Sequence, residues 1–92
     1  MEKSESKIES MVVKGVKNAG GLCLKLSSVF MSGMPDRIIL LPGGKIIFAE
    51  IKSLKRQLAH IQEKRRVQLE TLGFRVVVIK SQEEALIFLE EL

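Results

Sequence analysis

The stretch from Asp36 to Lys52 constrains the fold of this chain more than any other. Two β-rich runs, DRIILL (36–41) and IIFAEIK (46–52), flank Pro42-Gly43-Gly44-Lys45. Strand-forming runs on either side of a Pro/Gly turn specify a β-hairpin. Alternation along the second run puts Ile46, Phe48, Glu50 and Lys52 on one face and Ile47, Ala49 and Ile51 on the other. Both faces begin apolar, so this strand is expected at the centre of a sheet. Yet Glu50 and Lys52 share one face at its end, where charge is costly unless it is paired or metal-bound.

Around the hairpin the punctuation is clean. Residues 4–18 carry Ile8, Met11, Val12 and Val16 at helical spacing, with Ser4 or Ser6 as caps and Gly20-Gly21 as the stop. Residues 22–27 (LCLKLS) alternate as a short strand, and 28–35 form a loop. Residues 53–58 are a basic connection. An amphipathic helix follows over 59–72, with Leu58, Ile61, Leu69 and Leu72 on one side and Gly73 at its C′ position. FRVVVIK (74–80) is a β-branched strand. Ser81 with Glu84 makes a capping box for a last helix over 82–91. The predicted order is αβββαβα. The third and fourth strands are joined by a right-handed crossover and lie parallel. The expected fold is a single α/β domain, residues 1–92, with a mixed four-stranded sheet flanked by helices.

Composition narrows the chemistry. At 46% hydrophobic and 28% charged, the 92 residues are not those of a disordered chain. One cysteine and one histidine exclude an internal disulfide and a cysteine-based zinc cluster. Catalysis would rest on carboxylates, lysine, hydroxyls or a hard metal bound by oxygen. Cys23 reads as a small core hydrophobe and His60 as a surface residue. The net charge of +4 suits a polyanionic partner, but without Trp or Tyr there are few platforms for stacking bases. No apolar run is long enough to span a bilayer, and the N-terminus, MEKSESKIES, lacks the apolar stretch of a signal peptide. A cytoplasmic location is expected, with no membrane partner and no nucleotide cofactor.

The hairpin loop decides whether the acidic residues meet. A two-residue loop at Gly43-Gly44 places Asp36 opposite Ile51, facing away from Glu50. A three-residue loop, or a bulge, places Asp36 opposite Glu50 or two residues off on the same face. The sequence allows convergence of Asp36, Glu50 and Lys52 without forcing it. Two carboxylates at neighbouring strand ends suit Mg²⁺ or Mn²⁺, which prefer oxygen ligands.

Pro35-Asp36, a gap, then Glu50-Ile51-Lys52 resembles the Pro-Asp…(Asp/Glu)-x-Lys signature of the PD-(D/E)XK nuclease superfamily. The stretch GMPDRIILLPGGKIIFAEIKS, with Gln62, Leu69 and Leu72-Gly73 after it and then FRVVVIKS, is similar to one branch, the virus-type replication-repair nuclease (VRR-NUC) domain. The similarity runs from about residue 5 to residue 90. It implies a restriction-endonuclease-like core and metal-dependent hydrolysis of phosphodiesters. By this resemblance Asp36 and Glu50 match the metal-binding pair, Ile51 the position whose carbonyl completes the metal shell, Lys52 the catalytic lysine, and Gln62 the helix residue lining the site. Glu9 matches a first-helix carboxylate that the superfamily often adds, with Glu5, one turn earlier, as its rival. Stand-alone members resemble Holliday junction resolvases, which implies a homodimer acting on branched DNA, in a host cytoplasm if the chain is viral.

Lys25, Arg37, Lys55, Arg56, Arg65 and Arg66 are the candidate contacts to DNA phosphates. The loop holding Phe30, Met31 and Met34 is unusually apolar, which suits local core packing, a subunit interface or a wedge at a DNA junction. Two other readings compete: a non-catalytic nucleic-acid-binding module on the same fold, and an α/β interaction protein whose Asp36, Glu50 and Lys52 are merely an ion cluster. Metal-dependent cleavage measured against EDTA separates them.

Overall fold

The hairpin closes through three residues. A computed structural model describes residues 3–27 and 31–92. In it strand β2 (Arg37–Leu41) pairs antiparallel with β3 (Lys45–Ile51) in the register Leu41↔Lys45, Ile39↔Ile47, Arg37↔Ala49. Pro42 and Gly43 take the central turn positions, and the Gly44 N–H donates to the Leu41 carbonyl at 3.2 Å. Gly43 and Gly44 have φ of 85° and 78°, a conformation that costs a side-chain-bearing residue but not glycine. One more residue pair along this register sets Asp36 opposite Glu50, so the three-residue alternative is the one adopted.

The remaining elements follow in the expected order: α1 (Lys3–Asn18), β1 (Leu22–Lys25), then after the hairpin α2 (His60–Thr71), β4 (Arg75–Ile79) and α3 (Gln82–Glu90). The sheet order is β1-β2-β3-β4, with β1 and β2 antiparallel and β3 and β4 parallel. Helix α1 begins at Lys3, so Ser4 and Ser6 lie within its first turns rather than ahead of it. Ser81 caps α3 as predicted, its side chain accepting from the Glu84 N–H at 3.0 Å. Among the described residues, no helix is long and apolar enough to cross a membrane.

The core lies on one side of the sheet. Ile8, Val12 and Val16 of α1 and Ala85 and Phe88 of α3 cover Ile39, Ile47, Ala49, Ile51 and Ile79, all buried. Each large aliphatic side chain buried there contributes roughly 1.5–3 kcal/mol. Cys23 packs against this cluster, as a small hydrophobe would. Helix α2 covers part of the opposite side, where Phe48 meets Phe74 edge to face with ring centres 5.6 Å apart. The apolar side expected for α2 is mostly not a packed one. Leu69 is buried, but Ile61, Val67 and Leu72 are exposed. Four strands and one short helix leave that sheet face partly open, and Leu22, Leu24 and Ile46 are also exposed on it.

Candidate active site

Glu50 ends the buried stretch of β3 on the α2 side and is only 3% exposed. Its Oε2 accepts a hydrogen bond from the Gln62 side-chain amide at 3.1 Å and faces the Lys52 ammonium at 3.4 Å. Its Oε1 is buried without a partner among the described residues. Burial, and then the neighbouring Asp36 carboxylate, push the Glu50 carboxyl up to about 7 against the opposing pull of Lys52.

Asp36 is fixed from two directions. Its backbone carbonyl accepts from the Leu26 N–H at 2.8 Å, extending the β1–β2 ladder. Its Oδ2 accepts from the Ile51 N–H at 3.0 Å, so Ile51 enters the site through its backbone while its side chain fills the core. Gln62 is used at both ends of its amide. Its Oε1 accepts from the Ala59 N–H at 2.8 Å, satisfying one orphan donor at the start of α2, and this turns Nε2 toward Glu50. Ala59 has no side chain with which to return the bond, so Gln62 alone carries this half of a capping box. Asp36, Lys52, Gln62 and Arg56 line a groove of about 340 Å³, with Met34 and Pro35 on its rim. The rim segment is held on α2. Arg65 donates to the Ser32 carbonyl at 3.1 and 3.3 Å, and Gly33, at φ 81°, lies so close to the Ile61 carbonyl that a Cβ would stand 2.6 Å from it.

Two adjoining carboxyls, one with a buried oxygen lacking a partner, are an oxygen-donor set suited to a hard divalent cation. Among the described residues no third His, Cys, Asp or Glu joins them to form a ready cluster. Glu9, the first-helix candidate, is engaged by Arg37 instead. Helix α1 packs on the sheet face that carries Arg37, not the face that carries Glu50. The Glu9 carboxylate meets the Arg37 guanidinium there at 3.1 Å. Glu5, the rival, is 4% exposed, accepting from the Ser53 N–H at 3.1 Å and from Arg56 at 3.0 Å. It thereby fixes the backbone immediately after Lys52. That link joins residues 48 and 51 positions apart, and no local pattern in the sequence announces it.

The basic residues divide in the same way. Arg37 is mostly buried, bound to Glu9 and donating to the Cys23 carbonyl at 3.4 Å, so it is not a surface contact. Arg66 is paired along its own helix with Glu63 and Glu70, which its i,i+3 and i,i+4 spacing favours. Arg65 is committed to the rim segment. Lys25 and Lys55 are exposed, Arg56 is half-exposed beside the groove, and His60 is exposed at the start of α2. Of the apolar loop, Met31 is exposed and Met34 partly buried, while Phe30 lies outside the described residues.

No family model matches the chain. A protein named "Putative nuclease p44", from Acyrthosiphon pisum secondary endosymbiont phage 1, is 38% identical over 79 residues, which cover 86% of this chain and 85% of that one. A solved structure described as a VRR_NUC domain superimposes with a TM-score of 0.89 at 27% identity, covering 97% of each chain.

Proposed function

The chain belongs to the VRR-NUC family, and on that premise we propose that it is a Mg²⁺- or Mn²⁺-dependent DNA endonuclease that selects branched structures over plain duplex. The observation that carries the reading is the buried Glu50 carboxyl, one oxygen without a partner among the described residues, set against Asp36 and Lys52, which line an open groove.

Asp36 and Glu50, with the Ile51 carbonyl, would hold the cation. A bound divalent cation lowers the pKa of water and offsets charge on a phosphoryl oxygen. The rest falls to the chain itself. Lys52, mostly buried and directed at Glu50, is held where it orients the attacking water and answers negative charge developing on the phosphate. Gln62 holds the Glu50 carboxylate in one orientation through an amide that the helix start has already fixed. Arg56, half-exposed beside the groove, is placed to meet the incoming strand. The chain offers little surface for reading base edges, which favours recognition of DNA shape over sequence. A homodimer would cover the open apolar face at Leu22, Leu24 and Ile46 and set two grooves a fixed distance apart.

The deciding experiment is a cleavage screen of duplex, flap, splayed-arm and four-way DNA in Mg²⁺ or Mn²⁺, each against EDTA. Metal-dependent cutting, strongest on branched substrates and absent in Asp36→Asn, is expected. A wild-type protein that leaves every substrate intact in both metals overturns the reading.

A further inference from the structure

Strands β3 and β4 run parallel and side by side, yet their chains leave in opposite directions. β3 leads to α2 on one face of the sheet, and β4 leads to α3 on the other. The crevice beyond the carboxyl ends of such strands is where open α/β sheets hold ligands. The candidate active site occupies its α2 side. On the α1/α3 side the same strand ends frame a separate cavity of about 650 Å³.

Its polar groups are mainly donors. Lys55 follows β3 and Lys80 follows β4, and neither ammonium forms an ion pair among the described residues. Ser53 is 6% exposed and stands in the cavity wall with a buried hydroxyl that has no partner among the described residues. Ser81 begins α3, whose nine residues present the free N–H groups of Gln82 and Glu83 at this end. Two acids stand nearby. Glu84 is turned back to the Lys80 N–H at 2.9 Å, and Glu5 is engaged by Ser53 and Arg56. The remaining wall is apolar, from Ile8 and Leu54. Donors over an apolar wall match an oxyanion carried on a carbon skeleton, such as the phosphate and sugar of a nucleotide.

We infer that this cavity binds a phosphate group of the nucleic-acid strand next to the one being cut, through Lys55, Lys80, Ser53 and the start of α3. The inference rests on the nuclease reading above. It adds a second phosphate site, on the far side of the sheet from Glu50. Because Ser53 directly follows Lys52, one peptide unit joins the two sites, and a strand seated in both is held across the end of β3.

The test is binding in Ca²⁺, which blocks cutting, with DNA carrying a single neutral methylphosphonate at successive positions. A parallel pair of substrates carries a 5′-phosphate or a 5′-hydroxyl end. The wild type should lose about tenfold in affinity when one phosphate is neutralised. An internal position or the strand end responds according to which source fills the cavity. Lys55→Ala/Lys80→Ala should lose that sensitivity and flatten the slope of log affinity against log salt by about 2. Ser53→Ala, which removes an unpartnered hydroxyl, should fold and melt like the wild type and still weaken the same position. Wild-type affinity, slope and methylphosphonate profile in the double variant would overturn the site. Failure of the nuclease reading shows separately, as absence of cutting in Mg²⁺ and Mn²⁺, and the Ca²⁺ measurements decide the cavity in either case.

Discussion

Glu50→Gln should make the protein more stable at neutral and alkaline pH while abolishing its response to divalent cations. The Glu50 carboxyl is raised from 4.5 to about 7 in the folded chain, by burial first and Asp36 second. The folded state therefore holds this proton more tightly than the unfolded chain does. Stability falls as pH climbs from about 4.5 through 7 and levels off above about 8. By pH 8 the ionised side chain costs about 3 kcal/mol, an order-of-magnitude figure from the size of that shift. Glutamine imitates the protonated acid. It accepts from Gln62 as Glu50 Oε2 does, and its own amide can donate toward Asp36. For a domain of this size 1 kcal/mol moves the melting temperature by roughly 4–8 °C, so the variant should melt about 10–20 °C higher at pH 8. The gap should close on going down to pH 4, where the other carboxyls titrate alike in both proteins. In Mg²⁺ or Mn²⁺ the order should narrow or reverse. A cation bound only to the folded wild type stabilises it by mass action, whereas the variant lacks a charged ligand. Thermal melts across pH 4–9, with and without metal, measure both effects. Equal melting temperatures for the two proteins at pH 8 would refute the assignment of Glu50 as a buried, proton-holding carboxyl.

Lys52→Ala should reduce cleavage by roughly 100- to 1000-fold in single-turnover assays while DNA affinity in Ca²⁺ changes only a few-fold, since the ammonium stabilises developing charge more than it binds the ground state. Gly33→Ala should cost about 1–3 kcal/mol in a denaturant melt, because φ 81° and a Cβ 2.6 Å from the Ile61 carbonyl cannot both be accommodated. It should also slow cleavage by freeing the rim of the groove. A melt unchanged from wild type would show that Gly33 is not held against Ile61.

The hairpin shows how far the sequence carries the fold. Alternation along residues 46–52 assigns the faces of β3 without reference to anything distant, and the strand behaves accordingly, with Ile47, Ala49 and Ile51 in the core and Glu50 on the other face. The meeting of Asp36 with Glu50 hangs on one residue of loop length. Both registers bury an acceptable set of apolar side chains in β2, so periodicity does not choose between them. The turn does, through Pro42 and Gly43 at its centre and a second glycine that takes positive φ at no cost.

Long-range charge pairing is where local reasoning stops. Glu5 and Glu9 lie one turn apart on the same side of α1 and look equivalent in sequence, yet they meet different arginines on different elements. Arg37 takes Glu9 because β2 presents alternate residues to opposite faces. Asp36 turns toward Glu50, and Arg37 toward helix α1. The same alternation that brings Asp36 and Glu50 together thus turns Arg37, and Glu9 with it, to the other face. Gln62 is the converse case. Its place three residues after Ala59 is a local helix-start position, legible as such, and it sits opposite Glu50 because the right-handed crossover lays α2 on that face. A residue anchored by helix geometry at one end and aimed by sheet topology at the other does not depend on a long-range ion pair for its position. Glu5 and Glu9 do, and the arginine that each element brings to them fixes where they point.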